Sequence, residues 1–392
     1  MRAKSAVVIV AVAISADYGS FYDKQRANMK LKYFHGKTPE QFQAYILPSV
    51  SRTFSLTIPQ LPMPLRRVIG NFYLLCRAVD TIEDDPELDI NQKQHYGEWL
   101  VDVITNRRNA EEFVIEVAPL ISKQMPKAER ELMQQLPLVI KVTQGFHPLQ
   151  RETIECCVNI MSNGMHYFQG QVSKHGLNTQ RDLYSYCYYV SGVVGEALTE
   201  LFCHHSTQIA CNRKEMLELA PSFGLGLQIT NILIDHWDDR RQGQCWLPRD
   251  LFAHHNIDLS NLRPEQAHAG YDLAIRELIG IAHAHLRIAL QYTLLIPSNE
   301  SGVRYFCYWI ISLAILSLKN MYLKLDFKTA NEIKARRIQF ARVITLTKIS
   351  RCDDVMLIKL FNQAAANLPL NSLTENWGKA TEWPSCNKAD LI

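Results

Sequence analysis

Two short acidic clusters are the residues best suited to chemistry in this sequence. The first, DTIEDD, runs from Asp80 to Asp85, and the second, DHWDD, runs from Asp235 to Asp239. On an α-helix, positions i, i+3 and i+4 share a face, so each cluster directs several carboxylates to one side. Such a face repels itself unless a cation lies over it. Because Mg²⁺ is commonly held by carboxylates together with substrate phosphates, the clusters predict a pocket for a diphosphate bridged by Mg²⁺.

Each cluster continues upstream as a polar stripe on the same helical face, beside an apolar stripe that faces the core. The stripes consist of Tyr73, Arg77, Asp80 and Asp84, and of Gln228, Asn231, Asp235 and Asp239. Buried amides need hydrogen-bond partners, so they favour a ligand-binding role. The alternative for any single acidic run is a solvated helix face.

Prolines set the expected ends of the acidic helices. Pro86 predicts that the first helix stops just after Asp85, since the residue before proline disfavours the α region. Carboxylates at a helix C-terminus are unfavourable with respect to the helix dipole, which increases the need for a cation. Pro221 predicts the start of the second acidic helix, and the segment 243–248 its end.

Composition and periodicity predict a single helical domain. The chain has 392 residues with 47% hydrophobic content, and strand signals are almost absent after residue 15. A net charge of +3, with scattered basic residues, is too small for a nucleic-acid-binding protein. We predict an N-terminal extension at 1–28, one domain at 29–367 and a polar tail at 368–392.

The cysteines and the apolar segments indicate the cellular compartment of the protein. None of the ten cysteines forms a C-x-x-C pair, which is typical of free thiols in a reducing cytoplasm. Residues 6–16 look like a short signal peptide, but export would separate the protein from a cytosolic diphosphate. We therefore expect an extension without a catalytic role. The apolar stretch 305–318 is too short to span a bilayer and predicts a buried core helix.

Four sequence blocks resemble the squalene and phytoene synthase family, most closely its squalene-forming members. The blocks are SRTF at 51–54, YLLCRAVDTIEDD at 73–85, YCYYVSGVVG at 186–195 and QITNILID at 228–235. The similarity covers about residues 40–330. It implies an all-α, single-domain isoprenoid (prenyl-transferase) synthase fold in which two acidic helices face each other across a central cavity.

The resemblance also implies an activity. One farnesyl diphosphate ionises with Mg²⁺ on its leaving group, and a second attacks the allylic cation to give presqualene diphosphate. A second ionisation with hydride delivery from NADPH then gives squalene, as in a farnesyl-diphosphate farnesyltransferase. Two alternatives stay open: a synthase that makes dehydrosqualene or phytoene without reduction, and a non-catalytic assembly or binding protein. The expected partner is farnesyl diphosphate in the cytoplasm, and a hydrocarbon product is compatible with peripheral contact at the cytoplasmic membrane face.

The matched positions carry the roles that the resemblance implies. The expected metal ligands are Asp80, Glu83, Asp84, Asp235, Asp238 and Asp239. Catalytic roles fall to Tyr186, which matches a tyrosine linked to proton removal, and to Arg77. The other expected substrate contacts are Arg52, Phe54, Tyr73, Val190, Val194, Gln228 and Asn231, with Phe306 and Cys307 bordering the cavity.

One departure from the family concerns the second cluster. The residue before Asp235 is usually Arg or Lys in the family, and here it is Ile234. An arginine common just beyond the cluster corresponds to Gln244. We expect Arg240 or Arg241 to replace the missing charge and bind the diphosphate.

Overall fold

The computed structural model describes residues 37–51, 53–171, 173–263 and 269–373. Within these ranges β-structure is limited to two isolated bridges, and the all-α prediction is confirmed. Arg52 and the predicted extension 1–28 lie outside the described residues. The α-helices of the described chain are α1 Pro39–Val50, α2 Phe54–Thr57, α3 Met63–Glu83, α4 Ile90–Ile104, α5 Ala110–Val117, α6 Lys127–Gln134, α7 Leu136–Gln144, α8 Pro148–Gln169, α9 Gln180–Cys187, α10 Val193–His205, α11 Thr207–Ala210, α12 Arg213–Arg241, α13 Arg249–His254, α14 Ala269–Leu295, α15 Ser301–Leu323, α16 Arg337–Ile349 and α17 Asp354–Ala365.

The first acidic helix, α3, lies in the centre of the molecule. Every residue from 68 to 83 is buried, so both the apolar and the polar stripe are enclosed by neighbouring helices. The helix ends at Glu83, and Asp84 is its C-cap, with Asp84 N donating to Asp80 O at 2.8 Å. The predicted stop before Pro86 is therefore confirmed to within two residues, and the carboxylates lie at the helix C-terminus.

The second acidic helix, α12, is longer than its sequence predicts. It runs from Arg213 to Arg241, with Pro221 inside it, so the expected start at this proline is wrong. Proline removes one backbone donor and crowds the preceding turn, but here the helix is packed along α14 and α10, and its interior is buried. Tertiary packing, which supplies most helical stability in proteins, outweighs the local cost.

A π-helical turn at Tyr188–Gly192 separates α9 from α10. The sequence predicts one continuous helix with Tyr186, Val190 and Val194 on a single face. A π turn contains an i→i+5 hydrogen bond and shifts the register of the residues that follow it; such turns are frequent at functional sites. Tyr186 and Val194 consequently reach different cavities, described below.

Two glycines bring this π segment against α12. A Cβ atom at Gly224 would lie 2.3 Å from Ser191 O, and one at Gly195 would lie 2.5 Å from Ala220 O. The two backbones are therefore in direct contact, which only glycine permits at these points. The close approach places the end of α9 beside the acidic stripe of α12.

Among the described residues, helices α12 and α15 are long and apolar enough by composition to cross a bilayer, but 83% of the apolar window of each is buried inside the structure. The prediction that residues 305–318 belong to a buried core helix is confirmed. The start of the predicted tail also packs on the core. Asn371 N donates to Gly280 O at 3.3 Å, and His283 Nδ1 lies 2.7 Å from Pro369 O.

Candidate active site

A cleft of about 480 Å³ lies between the C-terminal ends of α3 and α12. Both acidic clusters reach it, the first through Asp84 and the second through Asp235 and Asp239. The cleft is lined by Asp84, Met165, Gln169, Tyr186, Gln228, Asn231, Ile232, Asp235, Asp239, Gln244 and Trp246. The structure therefore brings together residues that are about 150 positions apart in the chain, including both amides of the predicted α12 stripe.

The carboxylates of the cleft destabilise one another. Burial raises the pKa of Asp239 well above its usual value, and the charges of Asp235 and Asp84 add to this rise. Burial and the charge of Asp80 raise the pKa of Asp84 in the same direction. Since Asp84 and Asp239 come from opposite helices, their interaction shows that the two clusters share one electrostatic environment.

The donor type of the cleft fits Mg²⁺. The buried Asp239 Oδ1 has no hydrogen-bond partner among the described residues, and carboxylate oxygens are the donors that Mg²⁺ prefers. Over the same ranges, no group of three or more His, Cys, Asp or Glu side chains is arranged to hold a metal ion by itself. Mg²⁺ is usually bound by one or two carboxylates with substrate phosphates and water.

Arg77, Asp80 and Tyr73 form a buried network below the cleft. Arg77 Nη1 lies 3.6 Å from Asp80 Oδ2, and Arg77 Nη2 donates to Tyr73 Oη at 3.3 Å. Tyr73 Oη in turn donates to Val50 O at 3.0 Å. Three of the four residues of the predicted α3 stripe are thus connected, and the fourth, Asp84, lines the described cleft.

Glu83 is not among the residues that line the described cleft. Its side chain is buried, and burial raises its pKa to about 7, with Lys93 opposing the rise. Lys93 Nζ and Gln169 Nε2 donate to the Glu83 carbonyl at 2.6 and 3.3 Å. The structure does not bring this carboxyl into the cleft, and its role as a metal ligand stays a prediction.

The arginines that follow the second cluster donate hydrogen bonds to carbonyl groups of neighbouring loops. Asp238 is ion-paired with Arg241, which also donates to Lys328 O at 3.3 Å. Arg240 donates to Leu259 O and Leu262 O at 2.6 and 2.9 Å. Neither arginine lines the cleft, and binding of the diphosphate by these two residues stays untested.

Lys334 places a positive charge beside the second acidic cluster. Its Nζ lies 3.3 Å from Asp235 Oδ1, and the two side chains are 12% and 14% exposed. Lys334 also opposes the rise in the pKa of Asp239, which burial dominates. No motif or spacing marks this residue, since it lies in the loop between α15 and α16 and reaches α12 only in the folded chain.

Tyr186 is enclosed by aromatic rings at the same cleft. Its ring stacks on Trp246, with centroids 4.0 Å apart and planes at 11°, and it meets Phe168 edge-on at 5.6 Å. Burial raises the pKa of Tyr186 well above its usual value, and the charges of Asp84 and Asp239 contribute. Trp246 was missed in the sequence, where its sole signal is an aromatic residue shortly after the second cluster.

A second, apolar cavity of about 490 Å³ lies along α12 and α10. Its lining comprises Phe54, Ser191, Val194, Gly195, Leu198, Phe202, Phe223, Gly224, Leu227, Tyr292, Phe306, Cys307 and Ile310. Phe54, Val194, Phe306 and Cys307 are therefore at a cavity, as the sequence predicts, whereas Val190 is buried in the core. Because Leu227 and Gln228 are adjacent, α12 forms a wall of both cavities.

An all-α architecture with two acidic helices meeting at one cleft defines the isoprenoid-synthase fold. Residues 47–349 match the model of the squalene/phytoene synthase family, and the chain belongs to that family. It is 28% identical over 265 residues to a squalene synthase of Eremothecium gossypii, covering 67% of this chain and 57% of that protein. It is 31% identical over 259 residues to the squalene synthase BSS of Botryococcus braunii, covering 65% and 53%.

The solved structure of TcSQS in complex with the ligand BPH1237 has a similar fold. Its TM-score is 0.67 at 22% identity, covering 86% of this chain and 94% of that one. The likeness supports the fold assignment. The chain spans less than two thirds of the length of the curated relatives named above.

Proposed function

We propose that the chain is a Mg²⁺-dependent squalene synthase that condenses two farnesyl diphosphates through presqualene diphosphate and reduces the product with NADPH. The observation that carries the proposal is the meeting of Asp84 with Asp235 and Asp239 in one cleft, while an apolar cavity lies along the same helix α12. Such a pair of sites suits a substrate with a diphosphate head and a long hydrocarbon chain. The names of the curated relatives support the same reaction.

In this proposal the carboxylates of Asp84, Asp235 and Asp239 hold Mg²⁺. A Mg²⁺ ion held there would neutralise charge on the leaving diphosphate. Arg77 lies one layer deeper, paired with Asp80 and bonded to Tyr73. It fixes the first acidic helix and places a positive charge near the diphosphate.

The apolar cavity is suited to the farnesyl chain. Its walls include Phe54, Phe202 and Phe306, with the Phe54 and Phe306 rings 6.1 Å apart. These rings exclude water, which would otherwise capture an allylic cation, and their π faces stabilise positive charge. The cavity thus supports both binding and protection of the reactive carbon chain.

Tyr186 and Trp246 are proposed to act at the reacting carbons. The Tyr186 phenol stays protonated because its pKa is raised by burial and by the nearby carboxylates. A neutral phenol can relay a proton towards a stronger base, for which the departing diphosphate is available. The stacked Trp246 fixes the ring of Tyr186 and offers its own face to the cleft.

NADPH is proposed as the hydride donor because squalene contains two more hydrogen atoms than the unreduced dehydrosqualene. We also propose that the protein is located in the cytoplasm and contacts a membrane surface peripherally. This location follows from the prenyl diphosphate substrate and the hydrocarbon product.

The proposal is tested by product analysis. Purified protein is incubated with farnesyl diphosphate and Mg²⁺, with and without NADPH, and the extracted products are identified by mass spectrometry. Squalene that forms only with NADPH supports the proposal. Dehydrosqualene in both reactions would assign the chain to a non-reducing branch, and the absence of any condensation product would support a non-catalytic role.

A further inference from the structure

We propose that Lys334 is a diphosphate-binding residue that neutralises Asp235 in the metal-free protein and transfers to the substrate diphosphate when Mg²⁺ takes its place. The inference rests on the proposed function and identifies the basic side chain that would bind the substrate diphosphate. Its basis is the contact between Lys334 Nζ and Asp235 Oδ1 at 3.3 Å.

The cleft needs a cation that its own walls do not provide. Of the described residues that line it, none is Lys or Arg, whereas three are aspartates. A bound diphosphate would add further negative charge beside Asp235. A charged donor at the rim forms shorter and stronger hydrogen bonds to phosphate oxygens than a neutral donor does. Lys334 is a basic side chain that contacts a lining carboxylate of the cleft.

The backbone that carries Lys334 is fixed on both sides. Ala335 N donates to Ser317 Oγ at 3.0 Å, and Asn320 Nδ2 donates to Lys334 O at 3.2 Å. Ile333 is fully buried and Ala335 nearly so. The side chain is therefore the movable part of this segment, and its four-carbon stem lets the ammonium group shift by a few ångströms while the loop stays in place.

Arg241 anchors the same loop from the opposite end. Its guanidinium is paired with Asp238 and donates to Lys328 O at 3.3 Å. Arg241 consequently links the α15–α16 loop to the end of α12, which keeps Lys334 beside Asp235. Sequence proximity favours Arg241 as the missing charge, but its contacts suit an anchor, and Lys334 takes the position next to the cleft.

The arrangement has a consequence that a purely structural ion pair would lack. A metal ion and the Lys334 ammonium group compete for Asp235, so removing the ammonium should strengthen metal binding in the absence of substrate. The same change should weaken diphosphate binding, because one charged donor is lost. Opposite effects on the two ligands are therefore the signature of the proposed transfer.

The test uses the full-length protein with the variants Lys334→Met and Lys334→Arg. Lys328→Met is the matched control, since Lys328 is an exposed lysine of the same loop. Binding of Mn²⁺ alone is measured by electron paramagnetic resonance, and binding of inorganic pyrophosphate at saturating Mn²⁺ by calorimetry. Thermal unfolding of each variant verifies that the fold is retained.

For Lys334→Met we expect Mn²⁺ affinity to rise about threefold, in line with a weak, partly exposed ion pair. Pyrophosphate affinity should fall about 10- to 100-fold, the range for a lost hydrogen bond to a charged group. Lys334→Arg should bind pyrophosphate nearly as the wild type does, and Lys328→Met should match the wild type in both measurements.

Three results would overturn the inference. If Lys334→Met binds both ligands as the wild type does, the ion pair has no role in binding. If Lys334→Met binds both ligands more weakly than the wild type does, Lys334 has a structural role. The same conclusion follows if Lys334→Met unfolds and Lys334→Arg also loses binding. In either case the wild type still binds Mn²⁺ and pyrophosphate, and the proposed function stands. If the wild type binds neither ligand, the proposed function fails together with the inference.

Discussion

The rings of Tyr186 and Trp246 are stacked at 4.0 Å with an angle of 11° between their planes, and both line the acidic cleft. Tyr186 comes from the end of α9, and Trp246 from the loop after α12. The stack therefore joins the helix that precedes the π turn to the loop that follows the second acidic cluster. A tyrosine held in this way has a defined position relative to Asp84 and Asp239, whose charges both act on it.

Trp246→Leu should lower kcat about 10-fold or more while leaving the protein folded. The stack contributes about 0.5 to 1.5 kcal/mol beyond its buried area, and its loss frees the Tyr186 ring and removes a π face from the cleft. Trp246→Phe keeps an aromatic partner and should retain most of the activity. Steady-state kinetics with farnesyl diphosphate compare the variants, and equal rates for leucine and phenylalanine would argue against the role of the stack.

Tyr186→Phe should slow the formation of presqualene diphosphate by about 10² to 10⁴, the typical contribution of a proton-transfer group. Conversion of supplied presqualene diphosphate to squalene should be affected much less. The two half-reactions are measured separately by mass spectrometry. An equal loss in both would indicate that the hydroxyl group acts through the structure of the cleft.

Asp239→Asn should lower turnover about 100-fold or more, because a ligand of the metal that neutralises the leaving group is lost. Asp235→Asn should have an effect of similar size. Asp238→Asn is the matched comparison on the same helix. Since Asp238 is paired with Arg241, its replacement should cost less than about 10-fold. Equally severe losses at Asp238 and Asp239 would favour the full ligand set that the family resemblance implies.

Glu196→Gln should stabilise the protein above neutral pH. Burial raises the pKa of Glu196 from 4.5 to about 7, and Tyr188 Oη donates to its Oε2 at 3.1 Å. Between pH 4.5 and about 7, Glu196 keeps its proton in the folded chain but has lost it in the unfolded chain. The free energy of unfolding therefore falls as pH rises through this window and stays low above it.

The gain for Glu196→Gln should be about 1 to 3 kcal/mol at pH 8 and should shrink towards pH 5. Urea unfolding at several pH values measures it. Glu218→Gln is a matched control, since Glu218 is exposed. A gain that does not change with pH, or a loss at pH 8, would contradict the assignment of the buried proton.

The acidic stripes could be predicted from the sequence because helical periodicity relates residues that are three and four positions apart. The spacing of Gln228, Asn231, Asp235 and Asp239 is sufficient to place them on one face, and the structure finds all four at the cleft. The helical class follows from the same periodicity. These features depend on local geometry, which a single sequence contains.

The remaining features depend on contacts between distant segments. Pro221 looks like a helix start by local rules, but α12 continues through it because the packing around it is favourable. The π turn at Tyr188–Gly192 leaves no spacing signal, yet it separates Tyr186 from Val194. Trp246 and Lys334 join the site through loops, and their side chains acquire a role only when those loops fold against α12.

The joint action of the two acidic helices is tested by measuring the pyrophosphate that the purified chain releases from farnesyl diphosphate, with Mg²⁺ and with EDTA. In the proposed mechanism Asp84 and Asp239, from opposite helices, act on one diphosphate. We predict Mg²⁺-dependent release by the wild type and a severe loss in Asp84→Asn and in Asp239→Asn. The double variant should be far less impaired than the product of the two single effects, as expected for groups that act as a unit. Release that persists in the double variant, or that is equally fast with EDTA, would contradict this joint role of Asp84 and Asp239.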